Sequence, residues 1–387
     1  MTRLPDHILA DPVLRRVLDA LQAHGDRAYL VGGVVRNALL GEPVDDIDIA
    51  TDARPDRTVA LAASAGLRAV PTGIDHGTVT VVAESRGFEV TTFRRDVQTD
   101  GRHAVVAFST DMAEDAARRD FTMNALYADA GGMVIDPVGG LADLRDRRLR
   151  FVGDPAQRIR EDYLRILRFF RFFARYGRHA DPDALQACQN GRDGLDGISR
   201  ERIGQEMRKL LAARDLLPAL RLMSETGVLQ KVLPGATLGR LRALESFPGQ
   251  PGWLARLAAL SQADLTDTLR LSRVEARDHR KLVAALVEDW SFSRIAYRLD
   301  GPLAEDAARL VQTAADEPMP RPGWPEARAA CMANPLPVSA ADLQSHLQGP
   351  ALGRGLRAAE DAWIESGFSL PAPALIDAAL MAGEDTA

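Results

Sequence analysis

A chain of 387 residues with 46% apolar content is long enough for two or more domains with cores of their own. No run reaches the roughly 18 apolar residues of a membrane span, and the amino terminus reads as an amphipathic helix rather than a signal peptide, because charges break every apolar stretch. The net charge of −6 argues against a uniformly basic nucleic-acid binder, but a net value hides how charge is distributed.

The stretch from Tyr29 to Thr51 organises the chain. Tyr29, Leu30 and Val31 form a short apolar strand run that Gly32-Gly33 breaks. A helix opening at Val34 presents free backbone N–H groups beside two residues lacking Cβ, a ready site for phosphate oxygens, and Arg36 in its first turn can add a guanidinium. The next strand is predicted to carry Asp46 and Asp48 around Ile47, with both carboxylates on one face. Such a pair repels itself unless a cation intervenes, and hard oxygen donors beside a triphosphate favour Mg²⁺. A lone Asp-x-Asp is common on surface turns; the ordered combination is what carries information.

Gly-Gly-x-x-Arg, with Asp-x-Asp beginning ten positions after the arginine, resembles the DNA polymerase β type of nucleotidyltransferase. More narrowly it resembles the class II tRNA nucleotidyltransferase and bacterial poly(A) polymerase family. The family usually has Asp after this arginine; here the residue is Asn37.

Downstream, Thr51 or Asp52 is expected to cap a helix with Pro55 in its first turn, running to about Ser64. Leu67–Val70 reads as a strand. The runs Thr78–Ala83 and Phe88–Phe93 read as a hairpin around residues 84–87. Glu89 on the outer strand can offer a third carboxylate, and the match of its segment to the family's Glu-Val-Thr-Thr-Phe-Arg implies that it completes the metal site. Residues 94–113 read as a mobile loop.

A helix is predicted from about Asp115, with Asp120 and Asn124 on one face above Phe121 and Ala125. The segment Arg118–Leu126 closely matches the family's Arg-Arg-Asp-Phe-Thr-Ile-Asn-Ala-Leu. That implies triphosphate contacts from Gly32, Gly33, Arg36 and Arg119, and ribose contacts from Arg118, Asp120 and Asn124. Asp136–Leu144 then closes the head with a turn-rich segment.

From Leu149 the pattern is helix after helix. One long helix is expected from Arg158 to about Tyr176, apolar on one side and arginine-rich on the other. Residues 145–178 hold 11 Arg against 4 acids, a local +7 in an acidic protein, which points to RNA or triphosphate and nominates Arg168, Arg171 and Arg175 for RNA. Asp162 and Arg165 are expected on one helix face, offering an acceptor and a donor to a base edge. Cytosine and adenine both present an amino donor beside a ring-nitrogen acceptor, whereas uracil and guanine present the reverse. Such a pair therefore accepts C and A and penalises U and G. The segment Glu161–Arg165 matches the family's Glu-Asp-x-x-Arg motif, which implies this role.

Gly197–Leu211 is expected to start a capped helix at Ser199, again as in the family. Residues 317–337 read as a proline-rich link and 348–355 as a glycine-rich turn. The histidines make no His-Asp pair or His-x-x-x-His, so a metal-phosphohydrolase domain is not expected. Cys188 and Cys331 lack metal-ligand spacing and read as free thiols in a reducing, cytoplasmic setting.

The expected fold class is α+β: a polymerase β-like head with a mixed sheet (1–144), a helical neck for base recognition and RNA binding (145–240), and a helical body and tail (241–387). The resemblance implies addition of CCA to the acceptor end of tRNA from CTP and ATP, with two Mg²⁺ ions held by Asp46, Asp48 and Glu89. Two rivals stand: a poly(A) or A-only adding enzyme of the same family, and a head that has lost catalysis and serves only to bind RNA. The presence of all three carboxylates argues against the second.

Overall fold

The computed structural model describes residues 2–44, 46–100, 103–314 and 317–384. They form two compact units, Met1–Pro234 and Gly235–Ala387. The first contains the expected head and most of the expected neck.

Its centre is a seven-stranded mixed sheet. In chain order the strands of this unit are β1 (Ala28–Val31), β2 (Asp48–Thr51), β3 (Arg68–Gly73), β4 (Thr78–Ala83), β5 (Arg86–Thr92), β6 (Arg94–Asp100), β7 (His103–Phe108), β8 (Tyr127–Ala128), β9 (Val134–Ile135), β10 (Arg148–Leu149) and β11 (His179–Ala180). The sheet order is β3-β4-β5-β2-β1-β8-β9, and β2–β5 is its parallel pair. Alternation in β4 and β5 buries Val79, Val81, Phe88 and Val90. Helix Pro12–Gln22 puts Val13, Leu14, Val17, Leu18 and Leu21 into the core at helical spacing.

The helix after β1 spans Gly33–Leu40, and Gly32 turns into it at φ +70°, a conformation that favours glycine. Helix Pro55–Ser64 falls where expected, but Arg54 precedes it without a side-chain cap. Thr51 and Asp52 are engaged elsewhere: Thr51 donates to the Arg27 carbonyl, and Asp52 accepts from Arg27.

Several expectations need correction. β2 begins at Asp48, so Asp46 lies in the segment before the strand. The expected loop after residue 93 contains an antiparallel ribbon, β6–β7; Gly101 and Arg102 at its tip lie outside the described residues. The run Ala104–Phe108 is a strand signal, outweighed in the sequence by the polar and glycine residues around it. Asp120 and Asn124 do not share a helix. Helix Met112–Ala117 ends before them, and Asn124 closes a short 3-10 turn, Thr122–Asn124.

The predicted long helix is two, Pro155–Glu161 and Leu164–Tyr176. Asp162 between them is extended, and its Oδ1 accepts the amide of Leu164 at 3.1 Å, a side-chain competitor for helical bonding. Two short strands also interrupt the helical neck, where β10 pairs with β11 in parallel. Phe121, Phe151, Phe169 and Phe172 pack with ring centroids 5.0–6.2 Å apart, so the head and the first neck helices share one core. Each fully buried phenylalanine contributes about 1.5–3 kcal/mol of apolar burial.

The second unit is helical among its described residues. Its last helices pack around Trp363, Phe368, Leu375 and Ala379. The proline-rich link contains helix Trp324–Ala333, and the expected glycine-rich turn lies in helix Gly349–Glu365. A Cβ at Gly355 would stand 2.9 Å from the Ala379 carbonyl oxygen, so its glycine serves close helix packing. No helix among the described residues is long and apolar enough to cross a membrane. Cys188 is buried and Cys331 half-buried, and both are free.

Candidate active site

β2 and β5 bring the expected carboxylates to one place. Asp48 is the register partner of Glu89, and Asp46, Asp48 and Glu89 line one cleft of about 600 Å³. Burial raises the Asp48 carboxyl above the usual range, and the charges of Glu89 and Asp46 add to the rise. These are hard oxygen donors that repel one another, which fits a divalent cation. Among the described residues no three metal-binding side chains converge closely enough to hold an ion. Asp46 and Glu89 are exposed, and neither is held by an ion pair among the described residues.

A second cleft of about 320 Å³ is lined by Arg118, Arg119, Asp120, Asp162, Leu164, Arg165, Arg168 and Arg202. Five arginines against two aspartates suit a polyanion. Arg119 links the two clefts. Its charge acts on Asp48, and a Cβ on Gly32 would meet Arg119 Nη1 at 3.4 Å, so the glycine turn and this guanidinium are neighbours.

Asp115, which sequence reasoning passed over, holds both arginines of the head motif. It is 1% exposed, pairs with Arg118 at 2.7 Å and Arg119 at 3.0 Å, and accepts from the Tyr127 hydroxyl at 2.7 Å. Burial works to raise its carboxyl, but Arg119 and Arg118 overcome it and hold it below the usual range. The signal was its spacing, three and four residues before the two arginines.

Asp120 accepts from the Asn124 amide and the Phe121 N–H, both at 2.9 Å, and from Arg168. Burial pushes this carboxyl up, yet the Arg168 charge and these donors bring it down to about 2. Two of the three expected ribose groups, Asp120 and Asn124, are thus in direct contact without a helix between them. Gly140 supports the segment from behind; a Cβ there would lie 2.1 Å from the Thr122 carbonyl oxygen.

Arg36 is 7% exposed and lines neither cleft. It donates to Asn37 Oδ1 at 2.9 Å, to Tyr176 Oη at 2.8 Å and to Asn124, and it lies 4.0 Å from the Tyr176 ring centroid. Its Nη2 would be 3.7 Å from a Cβ on Gly33, so the guanidinium sits behind the glycine turn. Asn37, in place of the family's Asp, supplies a neutral acceptor.

Of the pair expected to read the base, Asp162 is held by Arg202 at 2.6 Å, while Arg165 donates to Glu161 and to the Arg158 carbonyl at 2.7 Å. Both line the arginine-rich cleft. Arg158 donates to the Arg118 and Arg119 carbonyls, fastening this helix to the head motif. Of the three arginines nominated for RNA, Arg168 belongs to this cleft, Arg171 pairs with the buried Glu206 at 2.6 Å, and Arg175 is exposed. Arg202 and Glu206 pair with residues 40 and 35 positions away and so were not legible in the sequence, whereas Glu161 pairs with Arg158 and Arg165 at three and four residues, a helical spacing that could have shown it.

A mixed sheet carrying a glycine turn and paired strand carboxylates beside an arginine-lined cleft defines a nucleotidyltransferase head. Residues 28–150 match the Poly A polymerase head domain, and residues 179–238 match the probable RNA and SrmB-binding site of polymerase A. The CCA-adding enzyme of Geobacillus thermodenitrificans is 37% identical over 310 residues, 79% of this chain and 70% of that one. The mitochondrial CCA tRNA nucleotidyltransferase 1 of Danio rerio is 44% identical over 205 residues, 52% of this chain and 48% of that protein. The crystal structure of the Bacillus stearothermophilus CCA-adding enzyme in complex with CTP matches at TM-score 0.73 and 30% identity over 92% of both chains. The chain belongs to the CCA-adding enzyme family of nucleotidyltransferases.

Proposed function

We propose that this chain adds CCA to the 3′ end of tRNA from CTP and ATP, without a template, in the cytoplasm. The observation that carries the reading is the placement of Asp48 opposite Glu89 on a sheet beside the cleft holding Asp162 and Arg165. The names of the related enzymes favour CCA over A-only or poly(A) addition.

In the reaction the RNA 3′-hydroxyl oxygen attacks the α-phosphorus of the nucleotide, a new phosphodiester bond forms, and pyrophosphate leaves with the electrons of the broken P–O bond. Asp46, Asp48 and Glu89 would hold Mg²⁺, which when bound acidifies the hydroxyl and neutralises the triphosphate. Arg119 beside Gly32-Gly33 binds the phosphates, with Arg36 adding positive field from behind the turn. Asp120, Asn124 and Arg118 position the ribose. Asp162 accepts from the amino group of C or A, and Arg165 donates to the ring nitrogen. Since Arg202 and Glu161 already hold these two side chains, little rotamer freedom is lost when the base arrives.

The test incubates the purified protein with Mg²⁺ and tRNAs ending at the discriminator base, at C and at CC, with single and mixed nucleotides, and sequences the products. Completion to CCA from each substrate is expected. Runs of A on any primer would favour the poly(A) reading instead.

A further inference from the structure

The arginine-rich segment 145–178 separates into two populations. Five of its 11 arginines are tied to carboxylates within the unit: Arg150 to Asp143, Arg158 and Arg165 to Glu161, Arg168 to Asp120, and Arg171 to Glu206. Five of the others gather at one place. β10–β11 pairing sets Arg148 beside His179, and the Arg147 carbonyl accepts the amides of Arg178 at 2.7 Å and His179 at 3.2 Å. Arg145 ends the helix just before β10, and Arg175 stands in the last turn of the helix that leads into β11. None of these five has a carboxylate within ion-pair distance among the described residues. Arg145, Arg148, Arg175 and Arg178 are exposed, and Arg147 is half-buried.

From this sorting we infer that the β10–β11 arginine cluster binds the phosphate backbone of the RNA acceptor, an inference that rests on the tRNA reading above. Like charges gathered without counter-charges oppose folding, and of the acids nearby in sequence Asp143 is already taken by Arg150 and Thr122. Asp181 is turned to its own helix, where it accepts the Ala184 amide at 3.1 Å. Arg147 adds backbone strain at φ +52°, a left-handed conformation disfavoured for an L-residue. Strain and repulsion at one exposed spot serve no packing need, but both suit an anion that arrives later. Guanidinium groups on a short strand pair and its flanking helix ends match the repeated phosphates of A-form RNA, which is read by shape and backbone.

The experiment measures binding of tRNA lacking CCA, without nucleotide, from about 50 to about 200 mM KCl. It compares wild type with Arg145→Gln/Arg148→Gln/Arg178→Gln and with the matching triple Lys variant. The Gln variant is expected to bind more weakly, with the slope of log K against log salt smaller by about one per arginine removed. The Lys variant should recover most of the slope, and CTP affinity without RNA should match wild type in both, reporting an intact fold. An unchanged slope in the Gln variant, or a Lys variant as impaired as the Gln one, overturns the inference. So does failure of wild type to bind RNA. Since no turnover is involved, a wild type that binds tRNA but does not elongate it would sink the functional reading and leave this comparison standing.

Discussion

Asp48 and Glu89 stand directly opposite one another across the parallel β2–β5 pairing, although they are 41 positions apart in the chain. Parallel register places their Cα atoms at neighbouring-strand distance, about 4.8 Å. Burial and the Glu89 charge together hold the Asp48 carboxyl above the usual range, so this pair is poised to take up positive charge. Asp46→Ala or Asp48→Ala is expected to abolish nucleotide incorporation while tRNA binding stays near that of wild type, since the carboxylate cleft and the β10–β11 arginines are separate. Glu89→Gln should behave alike. Product formation on tRNA and filter binding check this, and a variant keeping most of its activity would remove that residue from the metal set.

Much of the site was legible because its residues lie in short contiguous motifs with distinctive chemistry: Gly32-Gly33, Asp46-x-Asp48, Arg118–Asn124 and Asp162–Arg165. Strand β1 followed from a short apolar run broken by Gly32-Gly33, and β4 and β5 from β-branched runs around a turn. What escaped depended on partners far apart in sequence. Arg202 holds Asp162 from 40 residues away, and Arg171 reaches Glu206 over 35. The break at Asp162 also escaped, because the apolar spacing continues through it and a single side-chain-to-amide bond decides the matter. The segment 145–178 showed its charge in the sequence, but only pairing separates its structural arginines from its exposed ones.

Asn37 is a place where stability can be gained. Arg36 is deeply buried, burial disfavours its charge, and its close partners are neutral. Asn37→Asp would give it a charge-assisted partner worth about 1.5–3 kcal/mol. The donor to the Pro43 carbonyl is lost and a carboxylate oxygen faces that carbonyl instead, but Pro43 is exposed, so water can enter between the two acceptors. A net gain of about 1 kcal/mol and a higher thermal midpoint at pH 7 are expected, fading as the new carboxylate protonates in acid. An unchanged or lower midpoint would mean that the amide donor to Pro43 matters more than the charge.

Asp120 couples the site to acid stability. Its carboxyl titrates at about 2 in the folded protein, below the ordinary value near 3.8. A depressed folded value gives stability that is present above the unfolded pKa and is lost as pH falls through the folded one. About 2 kcal/mol should therefore disappear between roughly pH 4 and pH 2. Asp120→Asn should be less stable at neutral pH by a similar amount, with the difference from wild type closing toward pH 2. Urea melts across that range test it, and a difference independent of pH would place the stabilisation elsewhere than in the Arg168 pairing.

The proposed base readers, Asp162 and Arg165, admit the sharpest test. Arg165 lies in the cleft with its guanidinium held by Glu161 and the Arg158 carbonyl, and it is the donor expected to meet cytosine N3 or adenine N1. Arg165→Ala leaves Asp48, Glu89 and Arg119 in place but removes that donor. Incorporation of C and A should fall by the equivalent of about 1–3 kcal/mol, the usual cost of an unpaired partner. Discrimination against U and G should weaken at the same time, because no donor then opposes their ring N–H. Arg202→Ala should cause a smaller shift in the same direction, since it frees Asp162 without removing it. Single-turnover incorporation of all four nucleotides on one tRNA primer measures both variants. If Arg165→Ala slows all four by one factor, Arg165 contacts phosphate or supports the helix, and nucleotide selection must then reside in other residues of the cleft.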